Sequence, residues 1–182
     1  MVDFEKSKNN LEKFEFEEPM LVKGLRVGGI NNRVIVEMAD DIGIKINGAT
    51  RYCLESIDFK TLPKRQKQDM VKIRLNSLGL KGDCLTYDEI NKRATFWGFK
   101  ECPMETALEL LLNEMERFMD NPIFVATQPF YNLDKTPFIF RVDFKDRSIM
   151  LINSSKSGGK GWSENDEFMF MVPRGVVGEV RA

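Results

Sequence analysis

Asp143, Phe144 and Lys145 close a run in which Phe138, Phe140, Val142 and Phe144 alternate with Ile139, Arg141 and Asp143. In a strand, successive side chains point to opposite sides, so an acid and a lysine two residues apart share one face. There the carboxylate can bind a divalent metal while the ammonium polarises water or a phosphate, which is the chemistry of a metal-dependent nuclease. Asp134, on the preceding turn, is spaced to supply a second metal ligand. Asp58-Phe59-Lys60 has the same form, a reminder that so short a motif recurs by chance. The competing account is a hairpin whose outer face carries Arg141, Asp143 and Lys145 into water.

Binding chemistry is signalled elsewhere. Lys60, Lys64, Arg65, Lys67, Lys72 and Arg74 set six positive charges against Asp69 alone, and Arg51, Arg93 and Lys100 lie in the same third of the chain. Such groups bind phosphate backbones by displacing condensed counterions, so this segment predicts a nucleic-acid footprint. The aromatic side chains that would stack single-stranded bases are missing from 60–74, although Phe96, Trp97 and Phe99 follow. The mirror image is an acidic face, either Glu12, Glu15, Glu17 and Glu18 or Glu105, Glu109, Glu114 and Glu116, that would meet a cationic protein groove. Residues 154–161 (SSKSGGKG) carry amides and two lysines that could hold an anion, but they miss the spacing of a phosphate loop and read as a connecting loop. Cys102 stands before Pro103 at an expected helix start, where a thiol pKa falls. No base or second cysteine accompanies it, so it is assigned to packing.

The chain has no histidine in 182 residues. That removes Ser-His-Asp and Cys-His nucleophile systems and His-ligated zinc or haem. Cys53, Cys84 and Cys102 are odd in number and widely spaced, against a disulfide framework and for a reducing, cytoplasmic setting. The N-terminus lacks a basic stretch followed by an apolar run, and no apolar segment approaches 18 residues, so neither a secretory signal nor a membrane span is expected. The net charge of −1 hides an asymmetry: residues 51–100 hold eleven Lys/Arg against six Asp/Glu, while both flanks are acidic.

These side chains need elements to position them. Residues 1–18 are polar and read as an arm or frayed helix, with a single domain over 19–182. Leu21 to Val27 and Arg33 to Met38 flank Gly28-Gly29-Ile30-Asn31-Asn32, and Ile42, Ile44 and Ile46 alternate before Asn47-Gly48, so a meander of strands is predicted. The stretch 50–62 fits neither period. Val71, Ile73 and Leu75 favour a strand, although Met70, Ile73 and Leu78 would also suit a helix, and Gly79-Leu80-Lys81-Gly82 ends either. Thr86 to Glu89 matches a capping box that would open a short helix, against a hairpin turning at Asn91-Lys92. Met104, Leu108, Leu111, Met115 and Phe118 form a stripe with glutamates off it, which predicts one helix over 103–119. Ile123 to Thr127, the hairpin of Phe138 to Phe144 with Ser148 to Ile152, and Phe168 to Val172 complete the strands.

The fold class that follows is α+β: a mostly antiparallel twisted sheet packed against one long helix at 103–119, with one or two minor helices. The expected function is a non-catalytic intracellular binding protein. Its partner would be nucleic acid or a nucleic-acid-handling protein met through Lys60, Lys64, Arg65, Lys67, Lys72 and Arg74. Such a chain fits an accessory protein or inhibitor of a phage or mobile element. The alternatives are a nuclease using Asp134, Asp143 and Lys145, and a protein-protein inhibitor or adaptor using an acidic face. No cofactor, metal or membrane partner is expected.

Overall fold

The computed structural model describes residues 19–118, 121–131, 135–152 and 161–173. The expected arm at 1–18, Asp134 and nearly all of the 154–161 loop lie outside them. Seven strands form one sheet: β1 (Met20–Val27), β2 (Lys45–Ile46), β3 (Gln66–Arg74), β4 (Ile123–Tyr131), β5 (Pro137–Asp143), β6 (Ser148–Ile152) and β7 (Glu167–Val172). Their order across the sheet is β1-β3-β7-β4-β5-β6-β2. The β4–β7 and β6–β2 pairs are parallel and the other four are antiparallel. The sheet is therefore mixed, although antiparallel pairing predominates.

Helices cover both faces. Strand alternation splits the core: Met70, Val125, Phe140 and Met169 face one side, and Val71, Phe124, Ile139 and Phe168 the other. On the first side lie α1 (Asn32–Asp41), α2 (Gly48–Glu55) and α4 (Thr106–Asn113). On the second lie α3 (Tyr87–Phe96), the short 3₁₀ turn Leu75–Leu78 and the fully buried ring of Trp162. Burying both faces explains why the strands carry apolar residues at consecutive positions.

The expected meander is corrected. Residues 33–38 are helical, not extended, because Asn31 accepts the Arg33 amide as a cap and Ile35, Val36 and Ala39 then fall on one buried face. Ile42 ends that helix, Gly43 turns with φ +76°, and only Lys45–Ile46 is a strand. Asn47 is not a hairpin residue: its side chain accepts the Thr50 amide and starts α2. The capping box is present as predicted, with Thr86 and Glu89 exchanging hydrogen bonds, so the hairpin at Asn91-Lys92 does not form.

The single long helix at 103–119 is also corrected. Cys102 is held in extended pairing, its amide donating to Ala126 at 2.6 Å, and the Thr106 amide closes a turn onto Pro103 at 3.0 Å. The α-helix consequently starts at Thr106; it ends at Asn113, and a 3₁₀ turn spans Met115–Phe118. Leu108 and Leu111 are fully buried, as the stripe required. Glu105 and Glu109 are buried as well, at 1 % exposure each, which the stripe did not anticipate.

The cause is the loop between α2 and β3. Gly29 donates to the Leu62 carbonyl at 2.8 Å, the Leu62 amide donates to Glu105, and Arg65 reaches both the Gly28 carbonyl and Glu109. Gly28 and Gly29 have positive φ, and a Cβ on either would lie 2.6 Å from backbone of Lys64 or Arg65. Two consecutive glycines are what let the loop close over α4.

Candidate functional site

The nuclease candidates Asp143 and Lys145 do not both stand on one strand, as the motif required. Asp143 is the last residue of β5, and Lys145 sits in the turn before β6, past the end of the strand. Its side chain is exposed, while Phe144 is buried against Phe118. The Asp143 carboxylate accepts the Asp146 amide at 3.1 Å and lies 3.7 Å from Arg141, the pattern of a capped turn. Asp58-Phe59-Lys60 lies in a loop whose Phe59 plugs the core edge-on to Phe140. Among the described residues no group of three or more Cys, Asp or Glu is placed to hold a metal ion.

The basic segment divides. Arg65 is committed to Glu109, and Lys72 binds both oxygens of Glu167 at 3.0 Å, with Arg74 3.9 Å from the same carboxylate. Those three cations are ion-paired within the fold, Lys72 and Arg74 sharing one carboxylate. Lys60, Lys64 and Lys67 are exposed, and Lys67 stands opposite the exposed Arg26 in the β1–β3 pairing. Arg74 and Arg141 line an open hollow of about 560 Å³ with Asn121, Asn165 and the ring of Phe124.

Of the predicted acidic faces, the glutamates at 12–18 lie outside the described residues. Glu105 and Glu109 are turned inward. One Glu105 oxygen accepts the Leu62 amide at 3.0 Å, while the other has no hydrogen-bond partner among the described residues. Burial raises its pKa above the ordinary value, against the Leu62 hydrogen bond, which lowers it. Cys102 is buried packing, its thiol 3.7 Å from the Met70 sulfur, and burial raises its pKa too. An inert thiol is the result.

The surface that distinguishes this molecule was missed in the sequence. Seven large apolar side chains are exposed among the described residues: Val34, Met38, Ile42, Tyr52, Ile57, Phe96 and Tyr131. Six of them, all but Phe96, lie on or beside α1 and α2. Val34, Met38 and Ile42 recur every four residues along one flank of α1. On its other flank an open groove of about 690 Å³ runs between α1 and α2, and Tyr52, Ile57 and Tyr131 line it at 78 %, 91 % and 64 % exposure. Spacing of four between Val34, Met38 and Ile42 was the available signal, but the alternation of Ile42, Ile44 and Ile46 obscured it.

The groove is acidic and well braced. Its lining carries Glu37, Asp40, Glu55 and Asp58 against Arg33 and Arg51. Arg51 donates to both oxygens of Asp40 at 2.5 and 2.9 Å and lies 3.5 Å from Glu55. Hydrogen bonding from Arg51 holds the Asp40 carboxyl below its ordinary pKa. The Asn32 side chain donates to the carbonyls of Leu54 and Ser56, tying the start of α1 to the end of α2. Burial raises the pKa of the half-buried Cys53 thiol in the groove.

No helix among the described residues is long and apolar enough to cross a membrane. Compared with protein-family models, with curated proteins and with solved structures, the chain matches none.

Proposed function

We propose that this is a non-catalytic binding protein that docks a protein partner on the layer formed by α1 and α2. One observation carries the reading: among the described residues, six of the seven exposed large apolar side chains lie on or beside that layer. Single exposed apolar residues need no explanation, but two clusters on the flanks of one helix, Val34, Met38 and Ile42 on one and Tyr52, Ile57 and Tyr131 in the groove on the other, are a concentration typical of an interaction surface. Two of the six are tyrosines, which supply rigid contact area at low entropic cost. The carboxylates around the groove oppose a phosphate backbone and favour a protein.

The test is selection of binders from a random peptide library against the folded protein, followed by competition with surface variants. Binders should lose affinity on Met38→Asp, Tyr52→Ala or Ile57→Asp. They should keep it on Phe96→Asp, which changes the one exposed large apolar side chain away from the layer among the described residues. Binders indifferent to all three layer variants would refute the reading.

Nucleic acid, or a protein that handles it, is a second partner we propose, at a separate surface. Lys67 and Arg26 face each other across β3 and the edge strand β1, and Lys60 and Lys64 are exposed on the loop entering β3. Positive charge collected on one sheet edge supports phosphate binding.

A further inference from the structure

We infer that the groove between α1 and α2 takes a lysine- or arginine-bearing segment of the partner in extended form, its cation between the Tyr52 and Tyr131 side and the carboxylates of Glu37 and Asp58. The inference rests on the reading of this layer as a protein-docking face and names what that face selects.

The first support is charge. Arg51 is spent on Asp40 and Glu55, which leaves no positive charge in that part of the groove uncommitted. Among the described residues Glu37 and Asp58 enter no ion pair or side-chain hydrogen bond, although both line the groove. A cation from outside would complete them. An anionic ligand would meet four carboxylates with a single uncommitted arginine, Arg33, to receive it.

Aromatic placement is the second. A cation over a tyrosine face gains from the ring quadrupole, most where water is displaced. The two rings belong to different elements, Tyr52 to α2 and Tyr131 to the end of β4, so a segment lying between them touches both walls. Ile57, at 91 % exposure in the turn after α2, then offers an apolar contact to a neighbouring residue of the same segment.

Rigidity is the third. The Asn32 bridge and the Arg51–Asp40 fork fix α1 against α2 before anything binds. A preformed groove costs little ordering entropy of its own on binding, so only the ordering of the guest segment has to be offset. The groove volume of about 690 Å³ lies in the range of preformed ligand sites.

The experiment uses the full chain and a short fluorescein-labelled peptide of alanine, leucine and lysine. Its two comparison peptides carry norleucine or glutamate in place of lysine. Fluorescence anisotropy measures affinity, and amide NMR shifts locate the contact. The lysine peptide should bind, shift signals of residues 33–58, and bind about tenfold or more tighter than the norleucine peptide. Asp58→Lys with Glu37→Lys should abolish lysine-peptide binding and admit the glutamate peptide, a reversal that unfolding cannot imitate. Equal binding of lysine and norleucine peptides, both lost in Ile57→Asp, would overturn the cation requirement while leaving the docking face intact. Binding that shifts signals only outside residues 33–58 would overturn both.

Discussion

Arg65 and Glu109 form a forked ion pair, each terminal guanidinium nitrogen donating to one carboxylate oxygen of a side chain only 1 % exposed. The pair joins the loop ahead of β3 to α4 across 44 residues of sequence. Asn113 also donates to Glu109 at 2.9 Å, so the buried carboxylate is satisfied on several sides. A residue that composition assigns to phosphate binding is in fact a structural clasp.

Removing one side of this pair should cost more than removing a surface charge. Arg65→Ala leaves Glu109 charged and buried, and the expected loss is about 2–3 kcal/mol, below the value for a fully buried pair because Arg65 is partly solvated. Glu109→Gln should cost less, since the guanidinium can turn to water. Urea unfolding measures both; losses under about half a kcal/mol in each would show that the loop is anchored without the clasp.

Glu105 predicts a pH dependence of definite sign. Its folded pKa is raised above the ordinary 4.5 by burial. Between those two values the unfolded chain has released its proton while the folded chain retains it, so stability falls as pH rises. Its contribution is full below about 4.5, declines through the folded pKa and is flat above it. Glu105→Gln keeps an acceptor for the Leu62 amide and cannot ionise. The stability difference between variant and wild type should therefore move in the variant's favour across that window. A difference independent of pH would rule out ionisation of Glu105 as its source.

Lys60, Lys64 and Lys67 are the cations to alter for the nucleic-acid reading, since all three are exposed and their loss leaves the Glu109 and Glu167 ion pairs in place. If they meet phosphates, Lys60→Ala, Lys64→Ala and Lys67→Ala together should weaken binding and reduce the salt slope by up to about three. Circular dichroism should report an intact fold. A salt titration without detectable binding by wild type at low salt would exclude direct contact.

With Mg²⁺ or Mn²⁺ the protein is expected to leave DNA and RNA intact. Asp143 caps a turn, and Lys145 lies beyond the strand that would have aligned it. Cleavage that disappears in both Asp143→Asn and Lys145→Ala would reinstate the nuclease.

Much of the fold was legible because local chemistry decided it. The Thr86–Glu89 capping box starts α3 with partners three residues apart. Phe138 to Ile152 alternates strongly enough to specify β5 and β6, and Leu108 and Leu111 had to be core. Residues 33–42 were misread because β-branched side chains suggested strands, and 50–62 fitted neither period. The Asn31 and Asn47 caps, each a single hydrogen bond, instead committed Asn32–Asp41 and Gly48–Glu55 to helix.

By itself, then, the sequence determined which segments alternate, where caps and glycine turns fall, and that no histidine chemistry is available. The tertiary structure alone decided which charges face water. Glu105 and Glu109 are buried by a loop whose contacts lie 43 and 44 residues away, and half of the basic segment is consumed by Glu109 and Glu167. The groove likewise exists only where α1, α2 and the end of β4 meet. Exposure is set by neighbours distant in sequence, so a side chain's type fixes what it can do but not whether a partner can reach it.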